Sequence, residues 1–209
     1  ESYNKKLHQV VNEQITRVNE EQKNVLAALA EILKMRANIY ERGIDKVSAN
    51  SRMLAISLQF SPKFDKEISS AFVDKIETAS LLHDIGMLSV NDAVAYKNTN
   101  LTADELEGIR RHTVVGADYL QKINTDKNKN GYLEMAVEIA KYHHENWDGT
   151  GYPEGLSGTD IPLSARIVAV IDTFMALNSE RSYRDAYTRE ESVEIIKSEA
   201  GRRFDPDII

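Results

Sequence analysis

The sequence contains no cysteine. That excludes disulfides, zinc–thiolate centres and thiol catalysis, and it fits a reducing cytoplasm, where we expect the protein. Proline is scarce at four and glycine stands at ten in 209 residues. Four of the glycines and two of the prolines cluster in 149–162, which leaves much of the rest of the chain free for long helices. Alternating Val, Ile and Thr stretches bounded by turns are nearly absent, so sheet is not expected. No apolar run approaches about 20 residues, so no membrane span is expected. Positive charge is also short: 26 Lys and Arg face 33 Asp and Glu, a formal charge of −7. This disfavours a nucleic-acid polymer as partner but leaves room for a local cationic pocket. No signal-peptide pattern follows Glu1, and we expect a fragment with further domains upstream.

What is present is a globular composition, with 42% hydrophobic and 28% charged residues, enough for one good core. The fold class expected is all-α, a helical bundle. Residues 1–40 read as one long helix and 41–209 as the domain it precedes. Val11, Val18, Val25, Ile32 and Ile39 recur every seven residues, with Leu7, Ala28 and Met35 on the companion seam. Gln14 and Glu21 interrupt that seam. The β-branched positions favour a parallel two-stranded coiled coil and hence a homodimer; the competing arrangement packs the helix on its own domain.

Further helices are expected over 44–60, 65–82, 102–121, 132–144, 163–177 and 188–199. Thr102 with Glu105, and Thr188 with Glu191, form capping boxes. The run Ala165 to Ile171 resembles a strand, but it follows Pro162 and continues into Phe174 and Leu177, so it reads as a buried helix. Asp126 to Gly131 imitates the start of a calcium loop. Val137 stands where the bidentate Glu is needed, so a polar loop is expected.

Four of the five histidines occupy distinctive settings. His83-Asp84 closes a helix, His112 lies within one, and His143-His144 is an adjacent pair before the glycine-rich loop. Asp172 sits inside a very apolar helix, where a carboxylate must be paired or bound to metal. His8 is expected to be solvated. Taken singly, each histidine suits a structural role. Together the set suits a metal cluster, and imidazole with carboxylate but no thiolate suits iron, manganese, zinc or nickel. Paired ions need a bridging carboxylate, which an Asp directly after a His can offer.

Several segments resemble the HD-GYP family. They are His83-Asp84-Ile85-Gly86, His112 to Ala117, Tyr142 to Pro153, Ile161 to Asp172, Arg181 to Arg184 and Phe204-Asp205-Pro206. The resemblance covers about residues 41–209, and His143 to Pro153 is its most specific part. It implies an all-helical HD-superfamily bundle that hydrolyses cyclic di-GMP to linear pGpG or GMP by metal-bound hydroxide, as an output domain in bacterial signalling. It further implies that His83, Asp84, His112, His143, His144 and Asp172 hold two or more divalent ions, with iron first among them and Asp84 bridging. Tyr152 would lie by the substrate, with Arg181 and Arg184 on its phosphate. Two rivals remain open: a signalling module that binds cyclic dinucleotide or protein partners without turnover, and another HD-superfamily nucleotide phosphohydrolase.

Three departures from the family pattern stand out. Met87 replaces the usual Lys, which predicts a weaker hold on phosphate. Met175 replaces a small polar residue. The positions of a third metal's Glu and His fall near Glu41, Gly43 and Asp45, with Asp45 as a replacement candidate.

Overall fold

The computed structural model describes residues 2–35, 43–95, 97, 99–123, 131–179 and 185–209. Among them the regular structure is entirely helical. The helices are α1 (Ser2–Met35), α2 (Ile44–Leu58), α3 (Ser70–Ala79), α4 (Asp92–Ala95), α5 (Ala103–Arg110), α6 (His112–Ile123), α7 (Tyr132–Tyr142), α8 (Leu163–Leu177) and α9 (Arg189–Ser198). Helix α7 lies at the centre, packed against α3, α6 and α8, while α2 packs on α3 and α8. Leu26, Leu33, Ile76, Leu82, Leu120, Ile139 and Ile167 are fully buried in one core. The expected all-α bundle is thus present. No described helix is long and apolar enough to cross a membrane.

Both capping boxes form as the sequence predicts, at Thr102 with Glu105 and at Thr188 with Glu191. Elsewhere side chains redraw the expected boundaries. Ser69 caps α3 by accepting from the Phe72 amide at 3.2 Å, so that helix starts later than 65. The expected helix over 102–121 is broken at Arg111. His112 Nδ1 bonds the Ile109 carbonyl at 2.7 Å and Thr113 Oγ1 donates to the Arg110 carbonyl at 3.0 Å. Such side-chain insertion into the ladder bends helices. Helix α7 ends at Tyr142, so His143 and His144 lie in the turn beyond it. Of the calcium-like stretch only Gly131 is described, as the left-handed N-cap of α7.

Helix α1 has two halves with different surroundings. Gln22, Leu26, Ala30 and Leu33 are buried on the domain, where Leu26, Ala30 and Leu33 join its core. Residues 3–17 are exposed throughout. The seven-residue stripe is not the face that packs: Val11, Val25 and Ile32 remain 46%, 43% and 56% exposed. Ile39 falls outside the described residues. Lys23 fastens α1 to α3 through Asp74 at 2.7 Å, and Tyr132 also donates to Asp74.

The C-terminal hook is tied down by charge. Arg166 on α8 donates to Asp205 at 2.6 Å and to the Ile161 carbonyl at 2.9 Å, all buried. Backbone amides of Trp147 and Asp148 donate to the Arg203 and Arg202 carbonyls at 3.1 and 2.9 Å. The hook and the loop after α7 are thereby locked to each other.

One close approach decides where α6 can sit. A Cβ on Gly86 would fall 1.8 Å from the His112 carbonyl oxygen and 2.6 Å from the Gly116 amide. The 3₁₀ turn over residues 85–89 therefore touches α6 backbone to backbone. Gly86→Ala is expected to cost at least about 3 kcal/mol, the upper end of overpacking penalties. Gly108→Ala, on the exposed face of α5 with nothing within 4 Å of the new methyl, is expected to gain about 0.5–1 kcal/mol. Urea unfolding of both variants checks the contrast.

Candidate metal centre

Three segments deliver the polar cluster. Helix α3 tightens into a 3₁₀ turn over 80–82 that sets His83 and Asp84 beneath α6. The break at Arg111 turns His112 inward, and the end of α7 supplies His143 and His144. Ligand atoms of Asp84, His112, His143 and His144 all lie within 4.8 Å of one another. His112 Nε2 and His143 Nε2 lie 3.2 and 3.5 Å from Asp84 Oδ1. His83 Nε2 lies 3.6 Å from Asp84 Oδ2 and 3.8 Å from Asp172 Oδ1 on α8. The two Asp84 oxygens thus face different partners, histidines 112 and 143 on one side and His83 with Asp172 on the other.

Backbone carbonyls set the ring orientations. His83 Nδ1 bonds Ser80 O at 2.9 Å, His112 Nδ1 bonds Ile109 O at 2.7 Å, and His143 Nδ1 bonds Ile139 O at 2.8 Å. A carbonyl only accepts, so each Nδ1 carries the hydrogen and Nε2 is the ring nitrogen turned inward, free to take a cation or a proton. The Nε2 atoms of His112 and His143 are buried without a hydrogen-bond partner. Lone pairs facing a carboxylate at these distances repel unless a cation stands between them.

Protons alone satisfy this arrangement poorly. Burial lowers the pKa of His112, but the Asp84 carboxylate outweighs it and raises the value. Burial, reinforced by the charges of His143 and His112, holds His144 well below the usual histidine range. Burial also opposes ionisation of Asp84, yet His83, His112 and His143 together hold its carboxyl well below the usual range. The cluster therefore combines an ionised carboxylate with an imidazole kept neutral. That donor set, with ring orientation fixed from outside, fits divalent metal.

Tyr152 is stacked on His144, with ring centroids 4.9 Å apart and planes at 22°. Burial, then the Asp84 charge, raises its pKa, so the phenol keeps its proton and acts as a donor. Glu145 builds the loop that presents it: one buried carboxylate oxygen accepts from the Glu154 and Gly155 amides at 2.8 and 3.1 Å. A Cβ on Gly151 would fall 2.3 Å from the Asn146 amide, so the loop closes too tightly for any side chain there.

All six expected ligands converge, joined by Tyr152. Arg181 and Arg184, and Glu41, lie outside the described residues. Asp45 does not join the cluster: it is exposed and pairs with Lys34 at 2.6 Å. His8 is exposed, as expected. Met87 and Met175 are half-buried against the core, and Met175 Sδ accepts from Asn50 Nδ2 at 3.7 Å. Sequence reasoning gave no role to Glu145 or Arg110. The first is signalled by its place directly after the histidine pair; the second depends on a helix break that periodicity does not show.

A family model described as HD domain matches residues 47–208. The cyclic di-GMP phosphodiesterase response regulator RpfG of Xanthomonas campestris is 35% identical, over 90% of this chain and 47% of its own length. A cyclic di-GMP phosphodiesterase of Thermotoga maritima is 39% identical, over 68% of this chain and 37% of its own. A 3'3'-cGAMP-specific phosphodiesterase 2 of Vibrio cholerae is 38% identical, over 68% of this chain and 26% of its own. The chain thus spans between about a quarter and a half of the length of these curated relatives. Among solved structures, Bd1817 from Bdellovibrio bacteriovorus, described as an HDG"Y"P protein, shares the fold. It has a TM-score of 0.58 and 17% identity, over 93% of this chain and 62% of that one. The family match over residues 47–208 and the 35% identity to RpfG over nine-tenths of the chain establish that this chain belongs to the HD superfamily as an HD-GYP domain.

Proposed function

We propose that this chain is a metal-dependent phosphodiesterase that hydrolyses cyclic di-GMP to pGpG or GMP, as a cytoplasmic signalling output domain. The observation that carries this is the set of inward Nε2 atoms around one carboxylate. It asks for cations and is what phosphodiester hydrolysis uses. RpfG, which matches nine-tenths of the chain, carries that activity in its name. Two divalent ions are proposed, iron first, with manganese, nickel or zinc as alternatives. His83 and Asp172 would serve one ion, His112, His143 and His144 the other, and Asp84 both. Bound there, the ions would supply Lewis acidity toward phosphate and an activated water. Tyr152, its proton retained, would donate to a substrate oxygen, and Arg181 and Arg184 would neutralise phosphate charge.

Metal-loaded protein is expected to contain about two ions per chain and to cleave cyclic di-GMP, assayed beside 3'3'-cGAMP, with loss of activity in chelator. Asp84→Ala should lose both ions by elemental analysis and retain under about one hundredth of the activity. Two ions retained in that variant would overturn the bridge. Absence of cyclic dinucleotide cleavage by the loaded wild type would overturn the substrate reading.

A second reading, a cyclic dinucleotide-binding or protein-signalling module with weak turnover, is favoured by Met87 in the turn leaving Asp84. Thioether cannot neutralise phosphate. Met87→Lys is expected to raise affinity or turnover, about tenfold for each ~1.4 kcal/mol recovered. Its melting temperature should change little, because the lysine stem can stay on the core while the ammonium reaches solvent. A clear loss of stability without gain in binding or hydrolysis refutes this role for Met87.

Residues 1–40 are proposed as a signalling and dimerisation helix ahead of a catalytic domain over 41–209. The exposed seven-residue stripe supports a parallel pairing with a second copy. Val11→Asp with Val25→Asp should convert a dimer to monomer in analytical ultracentrifugation. A wild-type monomer at high concentration, or a dimer that survives the substitutions, would place association elsewhere or remove it.

A further inference from the structure

Beyond the six ligands and Tyr152, the same mouth holds positive charge with no assigned task. Arg110 is the last residue of α5, directly before the break that turns His112 inward. Its backbone is fixed on both sides, by His112 Nδ1 on the Ile109 carbonyl and by Thr113 Oγ1 on its own carbonyl. The side chain is exposed and its guanidinium carbon stands 5.2 Å from the Tyr152 ring centroid.

Arg203 approaches from the other end of the chain. Its carbonyl accepts from the Trp147 amide at 3.1 Å, and its guanidinium lies 5.2 Å from the Phe204 ring centroid. The two adjacent arginines differ in a telling way. Arg202 is neutralised by Glu199, whereas Arg203, like Arg110, has no ion-pair partner among the described residues.

Two unpaired guanidinium groups, one over Tyr152 and one in the segment hydrogen-bonded to the loop after α7, are hard to account for by folding. An exposed arginine over an aromatic ring contributes little to stability, and a chain of charge −7 has carboxylates enough to pair them. They suit an anion instead. A cyclic dinucleotide carries two phosphodiesters, and only one at a time can occupy the metal centre. The other remains fully charged and must be held by the protein or left to repel an acidic surface. The geometry points to Arg110 as the contact for the phosphate that is not being cleaved, which would make Arg110 a substrate-binding residue that favours cyclic dinucleotides over simple diesters. This rests on the phosphodiesterase reading above and adds a substrate contact distinct from Arg181 and Arg184.

The test compares two substrates on metal-loaded full chain: cyclic di-GMP, and bis(p-nitrophenyl) phosphate, a diester with a single phosphate. Arg110→Ala is expected to raise KM for cyclic di-GMP about tenfold, the scale of one charge-assisted hydrogen bond, with a much smaller effect on kcat. Its loss in kcat/KM should be several-fold larger on cyclic di-GMP than on the simple diester. Arg110→Lys should recover part of the affinity, since a point charge still attracts phosphate. The rise of wild-type KM with salt should be shallower in Arg110→Ala. Equal losses on both substrates would show that Arg110 only supports Tyr152 and the metal ligands, and would overturn the proposal. So would unchanged KM in a wild-type background that cleaves cyclic di-GMP. Wild-type cleavage of the simple diester alone would instead bring down the cyclic dinucleotide reading, and this contact with it.

Discussion

The contact between the Gly86 turn and the backbone of α6 is the constraint on which the site depends. Glycine stands on both sides: a Cβ on Gly116 would fall 2.9 Å from the Gly86 amide, so each position needs the other's missing side chain. With the backbones in contact, Asp84 and His112 come within 3.2 Å although they belong to separate elements. Wider spacing would take His112 out of reach of that carboxylate. The glycine in the segment after His83-Asp84 and the one four residues after His112 are therefore the two halves of one joint.

Around that joint, polar groups are used twice. Each Nδ1–H satisfies a carbonyl near a helix end, which is structural, and in doing so commits Nε2 to the centre, which is functional. The same bond from His112 helps break the helix between α5 and α6 and so places Arg110 over Tyr152. Glu145 works likewise, anchoring the loop amides of Glu154 and Gly155 while standing next to the ligand pair. The rigidity comes from buried hydrogen bonds whose alternative, an unsatisfied buried group, is costly.

Much of the site was legible because metal chemistry is written in residue types. Imidazoles and carboxylates without thiolate specify a class of ion, and a buried Asp172 demands a partner wherever the chain happens to go. The caps at Thr102 and Thr188 were legible for a related reason, since both partners lie within one turn. The boundary at Ser69 and the break at Arg111 were not. Side-chain bonds to nearby backbone overrode a continuous apolar period there.

Helix α1 shows the same division. Its seven-residue stripe is a local pattern, and the sequence alone established a long helix with that stripe. Which face would be covered was a tertiary matter: Leu26, Ala30 and Leu33 fit the core next to α3 and α7, leaving Val11, Val25 and Ile32 outside. The sequence by itself determined the helical class, the capped ends and a donor set suited to divalent metal, because these follow from residue type and short spacing. Only the tertiary structure decided which ring nitrogen faces which carboxylate oxygen, and which arginine reaches Tyr152. Those outcomes depend on close backbone approach between segments far apart in the chain, set by missing side chains at Gly86 and Gly116 that no periodicity records.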